Sequence, residues 1–168
     1  MKKRVKLIFK KGVFVVSGLL LSTFTFCQVN FSGSWAFNES KSNLGEGGNR
    51  MVSQNLVIAQ KDNNLTLERS FTGQDGTERK MNETYTLDGK ECVNPVFNTS
   101  KKSTAKWSPD KKSLSVSSVI VFEMNGETNE IKTIEVYKLG DTGKILSIDS
   151  QLTSTMGERK TLLIYDKK

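Results

Sequence analysis

Charges and phenols at inward parity are where this chain could do chemistry. Arg69 shares an apolar parity with Leu65, Leu67 and Phe71, and Glu83 shares one with Met81, Tyr85 and Leu87. Charges on otherwise apolar faces are rare and need partners. If the turn at Gly73–Gly76 pairs Phe71 with Arg79, Arg69 stands opposite Met81 and diagonal to Glu83, within reach of long side chains. Two readings follow. The pair can satisfy itself as a structural ion pair near a barrel mouth. Alternatively, Arg69 with its planar fork anchors the carboxylate or hydroxyl of an otherwise apolar ligand. Tyr85 can add a phenol hydrogen bond, and Trp107, with Ala105 and Ser103, can form a cavity wall; each has ordinary core packing as its plainer role. Arg69, Glu83, Tyr85 and Trp107 are the candidate ligand-binding residues. Trp35 is expected to plug the barrel base.

Other chemistries are poorly served. Histidine is absent, which excludes His-based triads, Cys-His dyads, His-ligated metals and histidine pH switches. No Gly-x-Ser-x-Gly and no phosphate-cradling glycine loop before a helix is present. Asp141-Thr142-Gly143 and Asp62-Asn63-Asn64 are too short for a helix–loop–helix calcium loop. A carboxylate pair assembled across strands is the one enzymatic arrangement that sequence cannot display. Neither enzyme activity nor a cofactor nor a metal is expected.

The charge balance divides the chain in two. The formal charge is +7 over 168 residues, but Met1–Cys27 holds six of the 25 basic residues and none of the 18 acids. The remaining 19 basic residues barely exceed the acids, so the body lacks the basic excess of a nucleic-acid binder. The basic stretch Met1–Lys11 precedes the mostly apolar Val13–Phe26, which is shorter than the ~20 residues of a spanning helix. That pattern reads as a secretory signal peptide over 1–27, leaving a single domain over 28–168 in the periplasm or outside the cell. Cys27 as a lipidated anchor is the rival, although Phe26 stands where a lipobox has a small residue. With Cys27 removed, Cys92 is the only thiol, so no internal disulfide supports the domain.

The body reads as strands. Turn signals recur at Asp62-Asn63-Asn64, Gly73–Gly76, Asp88-Gly89, Pro109-Asp110, Asn125-Gly126, Gly140–Gly143 and Gly157, with a hidden turn expected near Pro95–Lys101. Period-two alternation with one wet face marks antiparallel sheet. The predicted strands are Ser34–Asn38, Val52–Ala59, Asn64–Phe71, Thr77–Leu87 and Glu91–Val96. They continue as Lys102–Ser108, Ser113–Glu123, Glu130–Leu139, Lys144–Thr153 and Arg159–Tyr165. In Ile131–Leu139 the parity slips between Ile131/Thr133 and Ile134/Val136, which predicts a bulge or twist. A meander this long, without helices to cover it, removes its edges by closing into an up-and-down barrel. Glu39–Arg50 is expected as an Ω-loop over one barrel end.

Gly33-Ser34-Trp35 at the first strand resembles the Gly-x-Trp motif of lipocalins, and about ten strands resemble the fatty-acid-binding proteins. Tyr85-Thr86-Leu87-Asp88-Gly89-Lys90, Ala105-Lys106-Trp107-Ser108 and Ile164-Tyr165-Asp166-Lys167 resemble small secreted bacterial proteins called lipocalin-like. The resemblance implies an all-β antiparallel barrel of about 8–10 strands. It also implies a late-strand basic residue packed on Trp35, for which Arg159 and Lys160 are the candidates. The expected function is non-enzymatic binding or transport of a small hydrophobic, lipid- or fatty-acid-like ligand in the cell envelope. The alternative is an interaction module with a filled barrel that binds another envelope protein.

Overall fold

The computed structural model describes residues 28–45, 52–73, 75–96, 98–124 and 126–168. The expected signal peptide, Cys27 and Phe97 lie outside the described residues.

Ten strands follow in order: β1 (Gly33–Phe37), β2 (Asn55–Lys61), β3 (Asn64–Thr72), β4 (Glu78–Thr86), β5 (Glu91–Val96), β6 (Thr99–Trp107), β7 (Ser113–Met124), β8 (Glu127–Leu139), β9 (Ile145–Ser154) and β10 (Gly157–Lys167). They form one antiparallel sheet in the order β4-β3-β2-β1-β10-β9-β8-β7-β6-β5. Each predicted strand has its counterpart, and the hidden turn falls between β5 and β6. The all-β class and the nearly closed up-and-down barrel are as the alternation implied.

The two end strands, β4 and β5, meet without a backbone ladder. Side chains fill the seam instead. The Asn94 amide accepts from Thr84 N–H at 2.7 Å and donates to Thr84 C=O at 3.1 Å, while Thr86 N–H donates to Cys92 Sγ at 3.2 Å. Asn94 is buried, so these bonds satisfy groups that the missing ladder leaves unpaired. Cys92 is a free thiol serving as an acceptor in this seam.

No bulge occurs in β8. Its pairing with β7 runs unbroken from Ser113↔Lys138 to Met124↔Glu127, and its pairing with β9 is equally regular. The expected bulge is absent because two apolar residues, Ile134 and Val136, take the outward parity: Ile134 is 47% exposed, while Thr133, Glu135 and Tyr137 occupy the inward parity with Ile131. The apparent slip was a glutamate inside the barrel, not a defect in the strand.

One barrel end is filled. Trp35, Phe31, Leu56, Leu65, Leu114 and Leu146 are fully buried there, and the Trp35 indole donates to Phe31 C=O at 3.1 Å. The basic residue on Trp35 is Lys167, whose Nζ lies 5.3 Å from the ring centroid; Arg159 and Lys160 take no part. This contact explains Gly33. Its φ is +150°, and a Cβ there would meet Lys167 Cε at 3.0 Å.

The opposite end carries the hairpins β3–β4, β5–β6, β7–β8 and β9–β10 and receives the segment between β1 and β2. Of the expected Ω-loop, Glu39–Lys41 form a 3₁₀ turn capped by Asn38, and Asn43 bridges to Leu162; residues 46–51 lie outside the described set. No helix among the described residues is long and apolar enough to cross a membrane.

Candidate functional site

The β3–β4 hairpin sets the site. Asp75 accepts from Thr77 N–H at 3.2 Å and from its hydroxyl at 2.7 Å, and Gly76 takes a φ of +76°. The resulting register pairs Phe71 with Arg79, Arg69 with Met81 and Leu67 with Glu83. Arg69 and Glu83 therefore lie diagonally on the inner face, and Arg69 Nε donates to Glu83 Oε2 at 3.0 Å. Tyr85, one inward position further along β4, donates its hydroxyl to the same oxygen at 2.8 Å.

Three further residues complete the cluster from strands distant in sequence. Lys101 of β6 pairs with Glu83 Oε1 and lies 3.3 Å from the Tyr85 hydroxyl. Glu135 of β8 accepts from Arg69 Nη2 at 2.7 Å and from the Tyr137 hydroxyl at 2.7 Å. Tyr137 also accepts from Arg69 Nη2 at 2.6 Å. Glu83 is 1% exposed and Arg69 8% exposed, so each charge depends on these partners rather than on bulk water.

Burial and partners move the titrations in consistent directions. Burial pulls the Arg69 guanidinium down, but Glu135 together with the phenols of Tyr137, Tyr85 and Tyr165 outweighs it and holds Arg69 firmly protonated. Burial pushes the Glu135 carboxyl up, yet Arg69, Lys101 and the Tyr137 hydroxyl pull harder, and the net direction is down. Glu135 is thus an ionised acceptor near neutrality, not a general acid. Burial, aided by repulsion from Arg69, pulls the Lys101 ammonium down to about 8. Burial pushes Tyr85 and Tyr137 upward and Tyr165 up to about 12.

A cavity of about 1180 Å³ lies between this cluster and the hairpin end. Phe71, Met81, Ile120, Phe122, Ile131 and Leu152 form its apolar walls, and Arg69, Lys101 and Glu135 its polar floor. It reaches the rim at Glu123, Thr128 and Arg159. A side cleft bounded by Lys80, Asn82 and Pro95 shares Phe71 and Met81 with it, beside the β4–β5 seam. The interior is therefore not the filled barrel of the interaction-module alternative.

Of the four sequence-predicted residues, the structure unites Arg69, Glu83 and Tyr85. Arg69 lines the cavity, while Glu83 and Tyr85 lie behind its floor. Trp107 does not join them. Its inward parity is as expected, but it sits at the filled end, stacked on Phe31 with ring centroids 5.7 Å apart. Its Nε1 is buried without a hydrogen-bond partner. Sequence reasoning missed Lys101, Glu135 and Tyr137. For Glu135 the signal was present, since the parity of Ile131 and Thr133 continues through Glu135 to Tyr137. Among the described residues, no group of three His, Cys, Asp or Glu is placed to hold a metal ion.

No family model matches this chain, and no curated protein does. Solved structures do match. A zebrafish ileal bile acid-binding protein complexed with cholic acid aligns with a TM-score of 0.56 at 11% identity, covering 82% of this chain and 98% of that one. A secretory abundant heat soluble protein from Ramazzottius varieornatus aligns with a TM-score of 0.56 at 12% identity, covering 85% of this chain and 98% of its own. At such identities the likeness shows a shared barrel fold.

Proposed function

We propose that this protein holds a small, mainly apolar molecule in its barrel, as a non-enzymatic binding or carrier protein. The observation that carries the reading is the cavity of about 1180 Å³, apolar along its walls and polar at its floor. Binding pockets combine these features: apolar burial supplies affinity, and a few fixed polar groups orient the ligand. Arg69, with Glu83 and Tyr85 behind it, is the proposed orienting group. The zebrafish neighbour's complex with cholic acid lends the reading support at the level of the fold.

Uptake of the uncharged fluorophore N-phenyl-1-naphthylamine tests this. The expected result is a saturable fluorescence rise that Ile131→Trp weakens by at least ~10-fold, because an indole fills space at the cavity wall. Circular dichroism establishes that the variant keeps its strands. Absence of saturable uptake by delipidated protein would overturn the reading.

The proposed place of work is the cell envelope or the exterior, reached through a signal peptide over 1–27. N-terminal sequencing of protein expressed in a bacterial host is expected to begin at or near Gln28. A diacylglycerol adduct on Cys27 would make the protein a membrane-anchored one instead, and an intact Met1 on cytoplasmic protein would refute export.

A further inference from the structure

Arg69 considered alone suggests an anchor for a carboxylate. Its surroundings argue the opposite. Arg69 and Lys101 are matched by Glu83 and Glu135, so the floor holds two cations against two carboxylates. The rim adds one of each, Arg159 and Glu123. A carboxylate brought to this floor finds no uncompensated cation and meets Glu135 as a like charge. Desolvating an anion without a free counter-charge is costly.

Two polar atoms of the floor remain available. Arg69 donates through Nε and Nη2, and Glu135 accepts through Oε2. The hydrogen bonds that tie the floor together do not use Arg69 Nη1 or Glu135 Oε1. Neither is sealed, since Trp107 Nε1 is the one partnerless side-chain polar atom closed off from solvent among those residues. Both residues line the cavity. A donor and an acceptor on neighbouring, mutually bonded side chains suit a head group that accepts from one and donates to the other. A hydroxyl does both, whereas a carboxylate only accepts.

We propose that the cavity selects an uncharged amphiphile whose head group both donates and accepts hydrogen bonds, such as an alcohol, over the carboxylate of the same chain length. This rests on the cavity being a ligand site. Lys101 strengthens the selection at alkaline pH, because losing its proton leaves the floor net negative.

The test displaces N-phenyl-1-naphthylamine from the wild-type protein with tetradecanol, methyl tetradecanoate and tetradecanoate, near pH 8 so that the acid is ionised. The alcohol is expected to bind at least ~10-fold more tightly than the carboxylate. The ester is expected between them, being uncharged but unable to donate. In Glu135→Gln the floor gains a net positive charge, and the alcohol's advantage over the acid is expected to shrink or reverse. If Glu135→Gln does not fold, the wild-type series still decides. Acid binding as tight as alcohol, or fluorophore bound but displaced by none of the three, overturns this selection while the ligand-binding reading survives. A fluorophore that never binds removes both.

Discussion

Replacing Arg69 with methionine is expected to destabilise the barrel by about 3–5 kcal/mol, the usual loss when one partner of a buried ion pair is removed. Methionine keeps a long apolar stem, so the loss reports charge rather than volume. What it strands is unequal. Glu83 retains its direct contacts with Lys101 and the Tyr85 hydroxyl, whereas Glu135 retains the Tyr137 hydroxyl and only the longer-range pull of Lys101. The double change Arg69→Met with Glu135→Gln should therefore recover most of the stability, because Lys101 still neutralises Glu83. Arg69→Met with Glu83→Gln should recover less, because Lys101 then has only Glu135 to offset, and no hydrogen bond joins the two. Urea unfolding of the single and double variants measures these differences as coupling energies. A single-variant loss below ~1 kcal/mol would mean the pair is effectively wet. Better rescue by Glu83→Gln than by Glu135→Gln would show that Arg69 is coupled mainly within its own hairpin.

That asymmetry lay beyond the sequence, for a definable reason. Alternation says which side of a strand a residue faces, and the turn at Gly73–Gly76 says which residues of β3 and β4 meet. The ten strands and the Arg69–Glu83 contact were legible for that reason. Contacts across the barrel are different, because Arg69 reaches Glu135 only after the sheet curls round to face itself. The two are 66 residues apart, and no single hairpin joins their strands. Lys101 was hidden for a different reason: the turn expected near Pro95–Lys101 includes it, whereas β6 begins at Thr99 and carries Lys101 on its inward face with Thr99 and Ser103. Trp107 shows a further limit: parity placed it inside, but not at which height. Height follows from the direction of the strand: β6 runs from the hairpin end to the filled end, so its last residue stands beside Phe31.

Stability is expected to collapse in alkaline solution, well before the exposed lysines have all lost their protons. Burial holds Tyr165 up to about 12, and raises Tyr85 and Tyr137 as well, against about 10 for an unfolded tyrosine. Each is a group whose folded value lies above its unfolded one. The native state therefore retains protons that the unfolded chain releases, and stability falls as pH rises past the unfolded value. Three such groups give a slope approaching ~4 kcal/mol per pH unit once the unfolded tyrosines are ionised. Lys101 acts in the other direction. Its folded value of about 8 lies below that of an unfolded lysine, so the unfolded chain binds the extra proton and stability rises modestly from about pH 8 towards 10. Lys80 and Lys90, held charged by Glu68 and Asp88, add to the fall, but both are exposed and their effect is small. The expected profile has a shallow maximum between about pH 9 and 10 and a steep descent beyond it. Urea midpoints across this range trace the profile, and phenolate absorbance reports the tyrosines directly: the buried phenols should ionise together with unfolding. Tyr85, Tyr137 and Tyr165 all titrating near pH 10 in a protein that stays folded would mean that water reaches their hydroxyls, and the burial of these three phenols would have to be redrawn.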